Sequence, residues 1–291
     1  MNYALITPAK NEEANLPRVA EAIAAQTVLP EVWLIVDDGS TDGSVGIARS
    51  LASNFPWISV LELERDPSTV RGGPIVRAFQ AGLRTLDPIS DVVVKLDADL
   101  SFDRDYFERL LAAFAADPEL GIASGSAYEL EDGAWVQRHQ TGNSVWGAAR
   151  AYRRECLEYV LPLPERIGWD GIDALKAAVG GWRTRTLLDL PFRHHRVEGE
   201  RDGRWRAWHA LGVCAHYMGY RPSYQLVRAL HHLRRDPAAV GLLTGYLAGV
   251  IRRAEQADDP AVRRYLRDKQ RWRRLFDRRD EALGRSAPAS L

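Results

Sequence analysis

Three unbroken apolar runs, each ending in a polar turn, organise the first part of the chain. Tyr3–Ile6 passes through Thr7-Pro8-Ala9-Lys10-Asn11-Glu12-Glu13 into Leu16, Val19 and Ile23, which recur at helical spacing. Val32–Val36 ends in Asp37-Asp38-Gly39-Ser40-Thr41-Asp42-Gly43, followed by Val45, Ile47, Ala48 and Leu51. Val92-Val93-Val94-Lys95-Leu96 ends in Asp97-Ala98-Asp99. Apolar strands of this kind are buried on both faces, and their alternation with amphipathic helices predicts an α/β fold around a mostly parallel sheet. Such sheets bind ligands beyond the carboxyl ends of their strands, where all three polar turns are expected.

The pattern changes near residue 200. Helices are predicted over Trp205–Tyr220, Ser223–Arg234, Pro237–Glu255 and Pro260–Arg279, with Pro222, Pro237 and Pro260 suited to helix starts. The division is into a catalytic-type α/β domain over 1–200 and a helical extension over 201–291. The most apolar stretch, Ala238–Ile251, has 14 residues, short of the about 20 that cross a bilayer. Its stripe Val240, Leu243, Leu247, Val250 has the spacing of a face that packs on the catalytic domain or on a second copy in a homo-oligomer. With Trp, Tyr and Arg around it, the same extension suits peripheral contact with anionic lipid.

Charge sharpens the division. The net charge of zero hides 20 Lys+Arg against 30 Asp+Glu in residues 1–200, and 19 against 9 in residues 201–291. Cys156 and Cys214 form no metal spacing and no disulfide framework, in keeping with a reducing cytosol. Residues 1–7 are too short an apolar run for a signal peptide, so the amino terminus is expected to belong to the fold. The expected location is cytoplasmic, peripheral on the inner face of the membrane, with no nucleic-acid partner.

Two carboxylates at a strand end, Asp97 and Asp99, suit a hard divalent cation shared with substrate phosphates. An isolated Asp-x-Asp more often caps a helix or shapes a turn. In the second turn, capping accounts for Ser40, Thr41 and Asp42 but leaves Asp37-Asp38 unexplained.

In this order the motifs resemble the nucleotide-diphospho-sugar glycosyltransferases of the GT-A group, family 2. Thr7-Pro8-Ala9-Lys10-Asn11-Glu12 is similar to the family's opening segment, Val36–Asp42 to its base- and ribose-binding turn, and Asp97-Ala98-Asp99 to its metal-binding triplet. Arg71-Gly72-Gly73-Pro74 through Gly82 resembles its glycine-containing loop and helix. The likeness covers roughly residues 1–196 and implies a Rossmann-like mixed sheet flanked by helices. It implies a donor site containing Thr7, Ala9, Glu12 and Asp38, with Asp97 toward the sugar or ribose. It further implies that Asp99 holds Mg²⁺ or Mn²⁺. Arg71 is a diphosphate partner or a solvated loop charge.

The family's general base precedes a Gly-aromatic pair by about a dozen residues; here that pair is Gly181-Trp182, and counting back reaches Trp169-Asp170. Asp170 takes the role of base, and Trp169 stands where a Glu is usual. Asp173, one turn on, is the rival, its alternative being a first-turn charge favourable to the helix dipole. In Arg193-His194-His195-Arg196, alternation lets at most one histidine reach a metal, and His195 is the candidate. The alternative is that these arginines and histidines bind diphosphate without metal. Trp146, with Trp169, is placed on the acceptor side, against the alternative that it fills the core.

The resemblance implies inverting transfer from a nucleotide-diphospho-sugar to a glycan or lipid-linked acceptor in surface glycan or glycolipid assembly. Gln270-Arg271-Trp272 lacks the spacing of the processive signature, so a single addition is expected. A sugar nucleotidyltransferase would need an early Gly-x-Gly loop, and none is found. A non-catalytic nucleotide-sugar-binding or membrane-scaffold protein would tolerate loss of the base.

Overall fold

A computed structural model describes residues 1–64, 72–138, 145–196 and 203–271. The chain forms two compact units, Met1–Arg196 and Val197–Leu291.

In the first unit the strands β1 (Tyr3–Ala9), β2 (Val32–Asp37), β3 (Ile58–Glu62) and β4 (Val92–Leu96) are joined through helices α1 (Leu16–Ala24), α2 (Ser44–Asn54) and α3 (Gly73–Leu83). They are mutually parallel. The chain continues through β5 (Leu100–Phe102), α4 (Tyr106–Ala116), β6 (Leu120–Glu131), β7 (Ala134–Gln137), β8 (Ala149–Arg153), α5 (Arg154–Val160), α6 (Trp169–Val179) and β9 (Arg183–His194). Among the described residues these strands form one mixed sheet in the order β3-β2-β1-β4-β8-β6-β9-β5, with β7 paired to β6. This is the expected mostly parallel sheet flanked by helices.

Two-sided burial accounts for the unbroken apolar runs. Tyr3, Leu5, Trp33, Ile35, Val92 and Val94 face a core closed by Leu16, Val19 and Ile23 of α1 and by Phe107 and Leu110 of α4. Their neighbours Ile6, Leu34, Val36 and Val93 face the opposite core, with Val76 and Phe79 of α3 and Trp169 of α6. Because β1 pairs in register with β2 through Ala9 and Asp37, and with β4 through Ile6 and Lys95, the three polar turns leave the sheet at one edge.

The long strands β6 and β9 bring a second set of residues to that edge. Their parallel register, interrupted between Gly125 and Ser126, sets Glu129 beside His194, and β5 lies on the other side with Leu100 opposite His194. The interruption requires a bare backbone: a Cβ at Gly125 would stand 2.1 Å from the Leu190 carbonyl oxygen.

The second unit contains α7 (Arg204–Tyr217), α8 (Pro222–Leu233), a 3₁₀ turn (Pro237–Val240), α9 (Gly241–Ile251) and α10 (Pro260–Lys269). The single helix expected from Pro237 starts as a 3₁₀ turn, capped by the Asp236 carboxylate, which accepts from the Ala238 amide at 2.9 Å. It ends earlier than expected, at Ile251, before Arg253 adopts a left-handed φ of 48°. The last helix, expected to reach Arg279, ends at Lys269, where Gln270 caps it; residues from 272 on lie outside the described residues.

Gly125→Ala is expected to destabilise the first unit by about 1–3 kcal/mol, since the methyl group overpacks against backbone. Thermal unfolding followed by circular dichroism should show a lowered midpoint.

Candidate active site

The ends of β1 and β2 build one side of the site. Asp37 turns back on its own loop, its Oδ2 accepting from the amides of Gly39 and Ser40 at 3.0 Å each. Asp38, next in the chain, is buried, and its carboxylate pairs with Arg77 and with Lys10 Nζ, the latter at 3.2 Å. Its amide donates to the Ala9 carbonyl at 2.9 Å, fixing the two turns together. Glu12 is anchored through its amide, which donates to Ser44 Oγ at 2.7 Å; its carboxylate accepts from Asn15 and Arg196, each at 2.7 Å.

Ala9, Glu12 and Asp38 thus meet at the sheet edge. Thr7 does not join them. Alternation along β1 turns its side chain into the core, where Oγ1 accepts from Trp33 Nε1 at 2.9 Å.

The end of β4 supplies the second side. Lys95 is buried, with Nζ 2.5 Å from Asp97 Oδ1 and 2.9 Å from the Gly147 carbonyl oxygen, and it lies over the Trp169 ring at 5.6 Å. Burial and the charge of Asp99 raise the Asp97 carboxyl above its ordinary range, against the opposing charge of Lys95. Asp99 is buried. Its Oδ1 accepts no hydrogen bond, although His194 Nε2 stands 3.5 Å away, and its Oδ2 lies 3.4 Å from Arg196. Burial alone would raise the Asp99 carboxyl, but His194 and Arg196 outweigh it and hold the group below the usual carboxylate range.

His194 sits between two carboxylates, with Nδ1 3.0 Å from Glu129 Oε1. Burial would lower its pKa, but Asp99 and Glu129 reverse that and raise it. The expected alternation of the two histidines holds, yet the one facing Asp99 is His194. His195 points the other way, with Nε2 2.8 Å from Ser101 Oγ and its ring edge-on to Trp135 at 5.4 Å. Arg196 then bridges the two sides, pairing with Glu12 and approaching Asp99.

The third side is α6, which begins after Gly168 in the left-handed conformation, φ 86°. Asp173, the rival base, is neither open to an acceptor nor a first-turn charge. It is fully buried, accepting from Arg150 Nε at 2.9 Å, from Arg150 Nη2 at 2.7 Å and from Tyr152 Oη at 2.5 Å. Burial pushes its carboxyl up to about 6, with Arg150 and Tyr152 opposing. Both oxygens are taken up inside the protein.

Asp170 is half-buried, and its backbone carbonyl, not its carboxylate, receives Arg150 at 2.9 Å. A Cβ built on Gly147 would lie 3.4 Å from Asp170 Oδ2, so Asp170 borders the same glycine whose carbonyl holds Lys95 and, through it, Asp97. Trp169 is buried beneath Lys95 and Arg150, the latter 5.9 Å from its ring. Trp146 stacks on Phe192 at 6.1 Å and meets the His194 ring edge-on at 4.8 Å. Trp169 is thus packed under two cationic side chains, whereas Trp146 stays half-buried. Arg71 lies outside the described residues.

Sequence reasoning did not identify Lys10, Arg77, Glu129 and Arg196 as partners, and it named His195 where the structure turns His194 toward Asp99. Lys10 and Arg77 lie inside the quoted motifs, so their positions were visible even though their pairing with Asp38 was not. Glu129 had no local signal; only the β6–β9 register brings it to His194.

Among the described residues no group of three His, Cys, Asp or Glu side chains could hold an ion alone. The free Asp99 oxygen and the Nε2 of a histidine fixed through Nδ1 by a carboxylate nonetheless match the donor pattern of metal sites with an ordered outer shell. Substrate phosphates would have to complete it.

Residues 4–225 match the family described as Glycosyl transferase family 2. The chain belongs to that family. It is 31% identical over 173 residues to a polyprenol monophosphomannose synthase of Mycolicibacterium smegmatis, covering 54% of this chain and 63% of that protein. It is 27% identical over 179 residues to the succinoglycan biosynthesis protein ExoA of Rhizobium meliloti, covering 61% of this chain and 46% of that one. The chain therefore spans less than two thirds of either relative. In fold it is similar to a mannosyltransferase of Pyrobaculum calidifontis solved in complex with GDP-Man and Mn²⁺, with a TM-score of 0.59 and 19% identity over 97% of this chain and 84% of that one. The architecture of this family 2 member is the GT-A fold.

Asp173→Asn is expected to cost about 3–5 kcal/mol of stability, because it leaves the buried Arg150 guanidinium without its counter-charge. Asp170→Asn should leave stability nearly unchanged. Chemical denaturation of the two variants beside the wild type checks the contrast.

Proposed function

We propose that the chain is an inverting glycosyltransferase that moves one sugar from a nucleotide-diphospho-sugar to an acceptor hydroxyl, aided by Mg²⁺ or Mn²⁺. The observation that carries this reading is the convergence at one sheet edge of Glu12 and Asp38, of the open Asp99–His194 pair, and of Asp170 across Gly147. Glu12 and Asp38 accept hydrogen bonds from base or ribose. Asp99, with His194 in its neutral form, would hold the cation, which when bound would supply neutralisation of the charge on the departing diphosphate. Glu129 fixes the His194 ring so that Nε2 faces the diphosphate side.

Asp97, steadied by Lys95, receives a hydroxyl of the sugar or ribose. Asp170 removes the proton from the acceptor oxygen as that oxygen bonds to the anomeric carbon and the bond from that carbon to the phosphate oxygen breaks. Attack from the face opposite the leaving group gives inversion. The names of the relatives support a lipid-linked or surface-glycan acceptor; work at the inner face of the membrane is part of the same proposal. A second reading rests on Arg196, which reaches both Glu12 and Asp99. In it, Arg196 and His194 neutralise the diphosphate without a cation.

Incubation with GDP- and UDP-sugars and a polyprenyl phosphate, with or without Mn²⁺, tests the reading. Nucleoside diphosphate release that needs both the acceptor and Mn²⁺ is expected, with a product of inverted anomeric configuration by NMR. Asp170→Asn should retain nucleotide binding and lose transfer by about 10²–10⁴-fold. Asp99→Ala should abolish the Mn²⁺ requirement together with most of the activity. Transfer by Asp170→Asn at the wild-type rate would remove that residue from the role of base.

A further inference from the structure

The helix α9 is apolar on the side where a helix on a protein surface is normally polar. Its inner face is made of glycine: Gly241, Gly245 and Gly249 lie one helical turn apart and lie directly against α7. A Cβ at Gly245 would stand 2.0 Å from the His209 carbonyl oxygen, and one at Gly249 would stand 2.5 Å from the His216 ring. One flank is closed by α8, where Gln225 Nε2 donates to the Leu242 carbonyl at 2.9 Å, and by Tyr246, whose Oη donates to the Tyr220 carbonyl at 2.8 Å. These contacts fix α9 within its own unit without using its large side chains.

Those side chains face out. Leu247 is 53% exposed, Val250 47% and Ile251 79%, and Val240, just before the helix, is 41% exposed. With Leu243 and Thr244 they occupy the arc opposite the glycines, and no charged residue interrupts it. A helix held on one face normally presents polar residues on the other.

Charge at its ends indicates what covers it. The segment is bracketed by exposed arginine pairs, Arg234-Arg235 before the 3₁₀ turn and Arg252-Arg253 after the helix. Asp236, the one acid between them, is engaged internally by Trp208 Nε1 at 2.8 Å and by Arg204. No described helix is long and apolar enough to cross a membrane. An apolar helical face of about 16 Å with arginines at both ends matches the boundary between acyl chains and anionic headgroups, where guanidinium groups reach the phosphates while the apolar face is buried.

We propose that the outward face of α9, Val240, Leu243, Leu247, Val250 and Ile251, is a docking surface for an anionic phospholipid bilayer, on which the helix lies in the membrane plane with Arg234, Arg235, Arg252 and Arg253 on the headgroups. The proposal deepens the lipid-linked part of the proposed function by assigning the surface that brings the chain to its acceptor's membrane. Its test uses no donor, so it fails or stands apart from sugar transfer.

The full chain is floated with vesicles of phosphatidylcholine, alone or mixed with phosphatidylglycerol. Wild type should bind the mixed vesicles, weakly bind the neutral ones, and be released by salt. Leu247→Glu with Ile251→Glu should reduce binding at least about tenfold while circular dichroism and the thermal midpoint stay those of wild type. Arg252→Gln with Arg253→Gln, outside the packed helix, should lose about thirtyfold on mixed vesicles only, at about 1 kcal/mol per arginine. Absence of wild-type binding to mixed vesicles, or undiminished binding by either folded double variant, overturns the proposal. So does light scattering that finds a wild-type dimer converted to monomer by the Leu247/Ile251 substitutions, which assigns the face to a second copy.

Discussion

Gathering negative charge at the end of a parallel sheet is costly, and the structure is arranged around meeting that cost. Glu12, Asp38, Asp97, Asp99 and Glu129 converge on one edge, and most are buried. Each faces a basic group: Arg196 for Glu12 and Asp99, Lys10 and Arg77 for Asp38, Lys95 for Asp97, and Arg138 with the His194 ring for Glu129. A buried carboxylate left unpaired takes up a proton. Each partner offsets part of the desolvation cost of the carboxylate it faces. Asp99 retains an open oxygen, and its neighbours hold its carboxyl below the usual range.

The same logic separates the two carboxylates of α6. Asp173 meets a guanidinium fork and a phenol and becomes part of the core, whereas Asp170, one turn earlier, keeps its carboxylate at the site. Sequence spacing places both on one helical face and cannot distinguish them. What distinguishes them is Arg150, which arrives from β8 and is fully buried against Asp173.

The sheet was legible because its physics is local. Unbroken apolar runs with polar ends declare strands buried on both faces, and the three motif turns fall where parallel strands finish. The candidate site was legible to the extent that the residues now found together at the sheet edge lie in those turns: Ala9, Glu12, Asp38, Asp97 and Asp99. Residues supplied by long-range register were not. Glu129 meets His194 across 65 residues, and Arg196 meets Glu12 across 184. Thr7 carried the motif's sequence but not its exposure, since alternation along β1 gave its hydroxyl to Trp33. In the second unit, glycines at four-residue spacing mark close helix packing only once α7 is known to lie against them.

The central claim is that the acidic edge recognises a nucleoside diphosphate together with a divalent cation. Calorimetric titration of the wild type with GDP and with UDP, each in the presence and absence of Mn²⁺, tests it most directly. At least one nucleotide should bind at least about tenfold more tightly with Mn²⁺, a coupling of about 1.4 kcal/mol. Equal affinity of both nucleotides with and without the ion, lost on Arg196→Gln, would contradict the claim and assign the diphosphate to the arginine.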